Sequence, residues 1–186
     1  VMMVVAYACA VSPPLKRALV WIGSRPDPDK PRQAIMLMAL FSTVTAWLNW
    51  ALSLVISAAF LPFIVRSNPR VDFRLLVTCA YLGVGTVWHT GLSGSAPLII
   101  ATPGNFLIKA GVLAETIPTT ETMFASFNLW YALLAGLSGI FIAAAFVPPA
   151  SDAVTASPEQ ADRLESMHEP VVKPEAMGPA EKMERW

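Results

Sequence analysis

The spacing of its charges constrains this sequence more than any other feature. No Asp, Glu, Lys or Arg occurs in residues 33–65, 75–108 or 122–151. A bilayer-crossing helix needs about 20 mostly apolar residues, whereas a buried helix of a soluble core uses about 10–14. Charged residues make up 14% of the 186-residue chain, against about 25% in soluble domains. The pattern predicts an all-α polytopic integral membrane protein.

Two of the three uncharged stretches fit poorly as simple spans. As one helix, residues 34–65 would be about 48 Å long. Fitting a hydrocarbon core of about 30 Å would need a tilt near 50°, beyond the usual range. Two full spans would need about 40 residues. Both flanks are also basic: Lys16, Arg17, Arg25, Lys30 and Arg32 precede the stretch, and Arg66, Arg70 and Arg74 follow it. Basic flanks favour the cytoplasmic side. A re-entrant helical hairpin over 34–65 satisfies length and charge together, with arms of about 20 Å and its tip at 47–50. Irregular backbone at that depth requires burial in protein or a wet cavity.

The second stretch contains HTGLSGSAP at 89–97, whose glycines and proline stop a helix. It reads as a broken transmembrane helix over 75–104. Ser95 has the look of an N-cap, with Pro97 in the first turn, and Pro103-Gly104 reads as a closing turn. Residues 122–147 read as one clean transmembrane helix, ended by Pro148-Pro149.

The remaining segments follow from these. Residues 1–11 are apolar but too short to span, and read as the end of a truncated transmembrane helix. Residues 12–33 form a cytoplasmic basic loop with an interfacial helix, 66–74 a cytoplasmic loop and 105–121 an external loop. Residues 148–186 are polar, acidic and rich in proline, and read as a disordered cytoplasmic loop; His168 within it reads as solvated. The start on Val1 and the end after MERW suggest an internal piece of a longer protein.

The polar residues at the breaks carry the functional reading: Asn49 at one, Ser93, Gly94 and Ser95 at the other, with Thr102, Gly104 and Asn105 close behind. Broken helices near the midplane bind substrates and ions in secondary transporters, where helix N-termini attract anions. Small residues that only permit close helix packing are the bland alternative. His89 is the one ionisable group inside an expected span, a position that points to a proton or anion contact; a satisfied histidine facing a carbonyl is the plainer reading. Cys9 and Cys79 show no metal or disulfide spacing. No nucleophile–base pair, paired carboxylates or metal-ligand cluster occurs in the apolar part, so neither an enzyme nor a cofactor is indicated. The zero net charge points away from nucleic acid.

At these residues the sequence resembles a known family. NWALSLVISAAF (49–60), LLVTCAYLGVGTVWHTGLSGSAPLIIATPGN (75–105) and TMFASFNLW (122–130) are similar to the bacterial short-chain fatty acid transporter family (AtoE type). The resemblance implies a multi-pass secondary transporter of butyrate- or acetoacetate-like carboxylates in the bacterial inner (plasma) membrane, coupled to H+ or Na+. It also implies one inverted repeat of an ion-transporter-like fold. Implied partners are the carboxylate, the lipid bilayer, the remaining half of the transporter and, as an open alternative, another copy in a homo-oligomer. Carried over by position, Asn49 sits at the hairpin tip, Ser93, Gly94 and Ser95 line the break, and Thr102, Gly104 and Asn105 form the closing turn. His89-Thr90 stands where some relatives have small residues. A passive pore and a non-transporting membrane scaffold are the alternatives.

Overall fold

A helix can change direction inside an apolar layer only where its freed backbone groups find partners, and the architecture is organised around two such places. The computed structural model describes residues 2–10 and 12–166. Among them there is no strand. The α-helices are α1 (Met2–Ala10), α2 (Pro13–Gly23), α3 (Pro31–Leu48), α4 (Trp50–Ser67), α5 (Phe73–Thr86), α6 (Ser95–Ala101), α7 (Phe106–Lys109), α8 (Ser126–Ala145) and α9 (Pro158–Ser166). Short 3-10 turns occupy Trp88–Thr90 and Thr119–Glu121. Trp50–Ser67, Phe73–Lys109 and Ser126–Ala145 are long and apolar enough to cross a membrane. The protein is thus an all-α membrane protein, as its charge spacing predicts.

α3 and α4 form a helical hairpin. Asn49 between them is extended, at φ −159° and ψ 122°, so one helix stops and the next starts without a loop. The arms lie side by side: the Phe41 and Phe60 rings are 4.6 Å apart, and Thr45 Oγ1 donates to Ser53 Oγ at 3.0 Å. The far end of α4 meets the segment that leads into α3. Ser67 Oγ donates to the Gly23 carbonyl, and Asn68 Nδ2 donates to the Asp27 carbonyl at 2.7 Å. The chain leaves the hairpin beside the point where it entered. Each arm has 18 residues, about 27 Å of helix. That exceeds the 20 Å expected from the uncharged stretch alone, because residues 31–33 and 66–67 join the helices despite their polarity.

α5 lies against α3 more extensively than any other pair packs, and small residues allow it. A Cβ on Gly83 would overlap the backbone carbonyl of Ser42. Ser42 Oγ, fully buried, donates to the Cys79 carbonyl at 2.6 Å, and Ser53 Oγ donates to the Ser42 carbonyl at 3.1 Å. Small residues and hydroxyls of this kind are the usual means of holding helices together where apolar burial gives no net drive. Around them Ile35, Met38, Phe60, Ile64 and Leu76 complete the core.

Residues after α8 return to the hairpin base. The Asp72 carboxylate caps α5 by accepting from Leu75 N–H at 2.9 Å. It also accepts from Arg74 at 2.9 Å and from Val154 N–H at 2.8 Å. Burial alone would raise its pKa, but the hydrogen bonds from Arg74, Leu75 and Val154 outweigh that and hold it below the ordinary carboxylate range. Phe73 N–H donates to the Val154 carbonyl at 2.8 Å, and Arg66 pairs with Asp162 of α9 at 2.6 Å. The disordered loop expected over 148–186 is therefore corrected for residues 148–166. Composition gives this segment little core of its own, but the buried carboxylate of a distant residue fixes its backbone. His168 and the rest of 167–186 lie outside the described residues.

The α3–α5 crossing yields a paired test. Gly83→Ala drives a methyl into a backbone carbonyl and should destabilise by about 2 kcal/mol or more. Nothing surrounds the corresponding position at Gly85, so Gly85→Ala should be neutral or slightly stabilising, as for an unhindered helix glycine. Thermal unfolding in detergent, followed by circular dichroism, separates them; equal midpoints would refute the close crossing.

Candidate functional site

α4 begins at Asn49, and its first turn needs partners for backbone N–H groups that no helical carbonyl can reach. Asn49 supplies one of them: its Oδ1 accepts from Leu52 N–H at 3.0 Å, while its carbonyl takes the first intrahelical bond, from Ser53 N–H at 3.0 Å. The Trp50 N–H is taken by Ser93 Oγ at 3.0 Å, across 43 residues of sequence. Leu92 N–H donates to the Trp47 carbonyl at 2.8 Å. A Cβ on Gly91 would overlap that same carbonyl, so glycine is what lets the two backbones meet. The two breaks predicted from the sequence are one junction in space.

The second break is a compact turn. α5 ends at Thr86, a 3-10 turn covers Trp88–Thr90, and α6 begins at Ser95. Gly94 is the N-cap of α6, and no side chain caps it. The expectation that Ser95 caps α6 is corrected: Ser95 is the first helical residue and is exposed. A cap must be extended, and the tight turn back toward His89 places that conformation at Gly94.

Asn49 and Ser93 are half-buried, and each has hydrogen-bonding capacity left over. With Oδ1 occupied by Leu52, the Asn49 amide keeps Nδ2, which makes no hydrogen bond among the described residues. Ser93 Oγ accepts from Trp50 and still has its own proton to donate. The junction thus offers two uncharged donors. Aromatic rings surround it. Trp50 and Trp88 are 6.5 Å apart, Trp88 and His89 6.2 Å, and His89 and Tyr131 6.1 Å. His89 itself is exposed.

Thr102, Gly104 and Asn105 stand apart from this junction. Gly104 adopts φ +64°, the left-handed turn that glycine tolerates best. Asn105 caps α7: its Oδ1 accepts from Leu107 N–H at 2.9 Å and Ile108 N–H at 3.2 Å, and its Nδ2 donates to the Thr102 carbonyl at 2.9 Å. No hydrogen bond joins residues 102–105 to Asn49 or Ser93 among the described residues. Their polar groups are used within their own turn.

Sequence reasoning missed Asn128. Its Nδ2 donates to the Thr90 carbonyl at 3.0 Å and to the Met123 carbonyl at 2.8 Å. One amide thereby ties the second break to the start of α8. The signal was available as a polar residue within the first turn of an otherwise apolar helix, but its partner is unknowable without the fold. α8 also bounds an apolar groove of about 470 Å³ with α3, lined by Thr43, Trp47, Leu129, Gly136 and others.

Asn128→Ala should free residues 88–94 while leaving the α3–α4 hairpin intact, at a cost of about 1–3 kcal/mol for the orphaned carbonyls. Asn128→Asp should be worse, since a carboxylate would face two carbonyl oxygens. Hydrogen exchange of the whole protein checks both, and unchanged protection at 88–94 in both variants would show that the clamp does not hold the turn.

Comparison with known proteins identifies the family. The chain is 36% identical over 156 residues to the Escherichia coli K12 protein named "Putative short-chain fatty acid transporter", a match covering 84% of the chain and 34% of that protein. It is 32% identical over 130 residues to the Haemophilus influenzae Rd protein of the same name, covering 68% of the chain and 28% of that protein. The chain thus spans about a third of the length of these relatives. No solved structure matches it. The model of the short chain fatty acid transporter family matches residues 1–185, a family of transporters rather than enzymes, and the chain belongs to it.

Proposed function

We propose that this chain forms part of a secondary transporter that carries short-chain carboxylates, of the butyrate or acetoacetate kind, across the bacterial inner membrane by alternating access. The observation that carries the reading is the Trp50–Ser93 hydrogen bond, which joins two helix breaks distant in sequence at one polar point within an apolar protein. Asn49 Nδ2 and the Ser93 hydroxyl are the donors toward a carboxylate, and the N-terminus of the 18-residue α4 adds its positive dipole end. Gly94 and Ser95 shape the adjoining wall, and Thr102, Gly104 and Asn105 hold the turn beyond it. His89, exposed beside Tyr131, is placed for a proton or anion contact. Uncharged donors suit the task because a fixed cation would be costly at depth and would retain the anion too firmly. The driving ion is H+ or Na+, and the remainder of the longer protein supplies the facing half of the site.

The whole protein should accumulate labelled butyrate or acetoacetate against a gradient with saturation. Ser93→Ala and Asn49→Ala should each lower the uptake rate on the order of tenfold at unchanged expression, the loss expected for one hydrogen bond to a charged ligand. Unchanged uptake in both variants would remove the site assignment, and uptake that never exceeds equilibration would favour a passive pore.

The hairpin is read as re-entrant, entering and leaving on its basic, cytoplasmic side. Its tip is bonded to the turn at 92–93, which Asn128 ties to the first turn of α8 through Thr90, and arms of about 27 Å are long enough to reach nearly through a core of about 30 Å. In a background without Cys9 and Cys79, single cysteines at Lys30 and Arg70 should react with an impermeant thiol reagent from the same face. Labelling from opposite faces would replace the hairpin with a crossing.

A further inference from the structure

The hairpin base carries a second surface that the transport reading does not use. α2 packs one face on the end of α4: Leu19 is 1% exposed, and Gly23 sits against Phe60 and Phe63. The Gly23 carbonyl is held by Ser67 Oγ. The opposite side displays Arg17, Val20 and Trp21 at the i, i+3 and i+4 spacing of one helical stripe, with Ser24 and Arg25 following just past the helix end, and all five are exposed. The Arg25 guanidinium lies 3.9 Å over the Trp21 ring.

Four described carboxylates at this end of the fold are already paired. Asp27 pairs with Lys30 at 2.9 Å, Asp29 with Arg70 at 2.8 Å, Asp72 with Arg74 at 2.9 Å and Asp162 with Arg66 at 2.6 Å. Among the described residues, Arg17, Arg25 and the neighbouring exposed Arg32 have no acidic partner. The stripe therefore presents net positive charge where the polar ends of α3, α4 and α5 gather, which is the edge of the apolar layer.

We propose that this face of α2 is a docking surface for the headgroups of anionic phospholipid. The arginines match the phosphate and the additional negative charge of such lipids. Trp21, 60% exposed, and Val20, 48% exposed, lie between Arg17 and Arg25. A soluble anion would leave these two side chains in water, whereas the boundary between headgroup and acyl chain receives them, as for other amphipathic interfacial helices. The occupant is thus a lipid and not a free phosphate.

The whole protein, purified in detergent, can be titrated with phosphatidylglycerol, phosphatidylcholine or inorganic phosphate, and the bound lipid read by native mass spectrometry. Phosphatidylglycerol should be retained in preference to phosphatidylcholine, and millimolar inorganic phosphate should not displace it. Arg17→Gln with Arg25→Gln should weaken phosphatidylglycerol retention on the order of tenfold, as two basic groups at an anionic surface predict. Arg17→Lys with Arg25→Lys should keep most of it, and Trp21→Ala should weaken both lipids. Equal retention of the two lipids by the unaltered protein, a measurement independent of how the variants fold, would overturn the proposal. So would displacement by inorganic phosphate, or undiminished retention in the Gln variant.

Discussion

Backbone groups freed inside an apolar layer must find partners within the protein, and one junction meets that demand for two helix breaks at once. Ending α3 and starting α4 at Asn49 exposes N–H groups of the new first turn and carbonyls of the old last turn. The turn at 91–93 answers both: Leu92 N–H takes the Trp47 carbonyl, and Ser93 Oγ takes the Trp50 N–H. In return, Trp47 and Trp50 stabilise a stretch that has no helical bonds of its own. Neither break is satisfied without the other, so the hairpin and the interrupted helix are best regarded as one structural unit.

That unit depends on close backbone approach, and the sequence supplies it with glycine at two levels. Gly91 lets the break lie on the Trp47 carbonyl, and Gly83, two turns earlier, lets α5 lie on Ser42. Between these levels Thr45, Ser53 and Ser42 pass hydrogen bonds from arm to arm and on to the Cys79 carbonyl. Hydroxyls serve well here, since each can bond without bringing a charge into the layer. The contacts form a continuous path from the α5 crossing to the junction, so a shift of α5 relative to the hairpin would be felt at Asn49 and Ser93.

Much of this was legible in the sequence because it rests on local rules. Basic residues on both flanks of 34–65 and a length unfit for one or two spans pointed to a fold-back, and Asn49 was the natural place for it. Glycine, serine and proline at 89–97 marked the second break. What remained hidden was pairwise and long-range. Nothing local to Asp72 announces that its carboxylate holds Val154, and composition alone argued for disorder there. Nothing local to Asn128 names Thr90 as its partner. Nor does nearness in sequence to Ser93 announce that the Asn105 side chain caps α7. The arms were read too short because charge marks where a helix meets the headgroups, while the hydrogen-bonded helix continues past that point.

The distribution of burial bears on how such a unit could work. α3 and α4 bury much of their surface within the fold, while α8 leaves Phe127, Trp130, Leu134 and Phe141 exposed. α8 is nevertheless tied at both ends: through Asn128 to the break and, by the segment that follows it, through Val154 to Asp72 at the base. A helix clamped at tip and base but open along its outer face is bound to the hairpin as one unit. The alternating access proposed above then requires no rearrangement within the junction. On that proposal the hydrogen bond between Trp50 and Ser93 stays intact while the body shifts against whatever faces it, and access to Asn49 Nδ2 and the Ser93 hydroxyl changes through that outer contact.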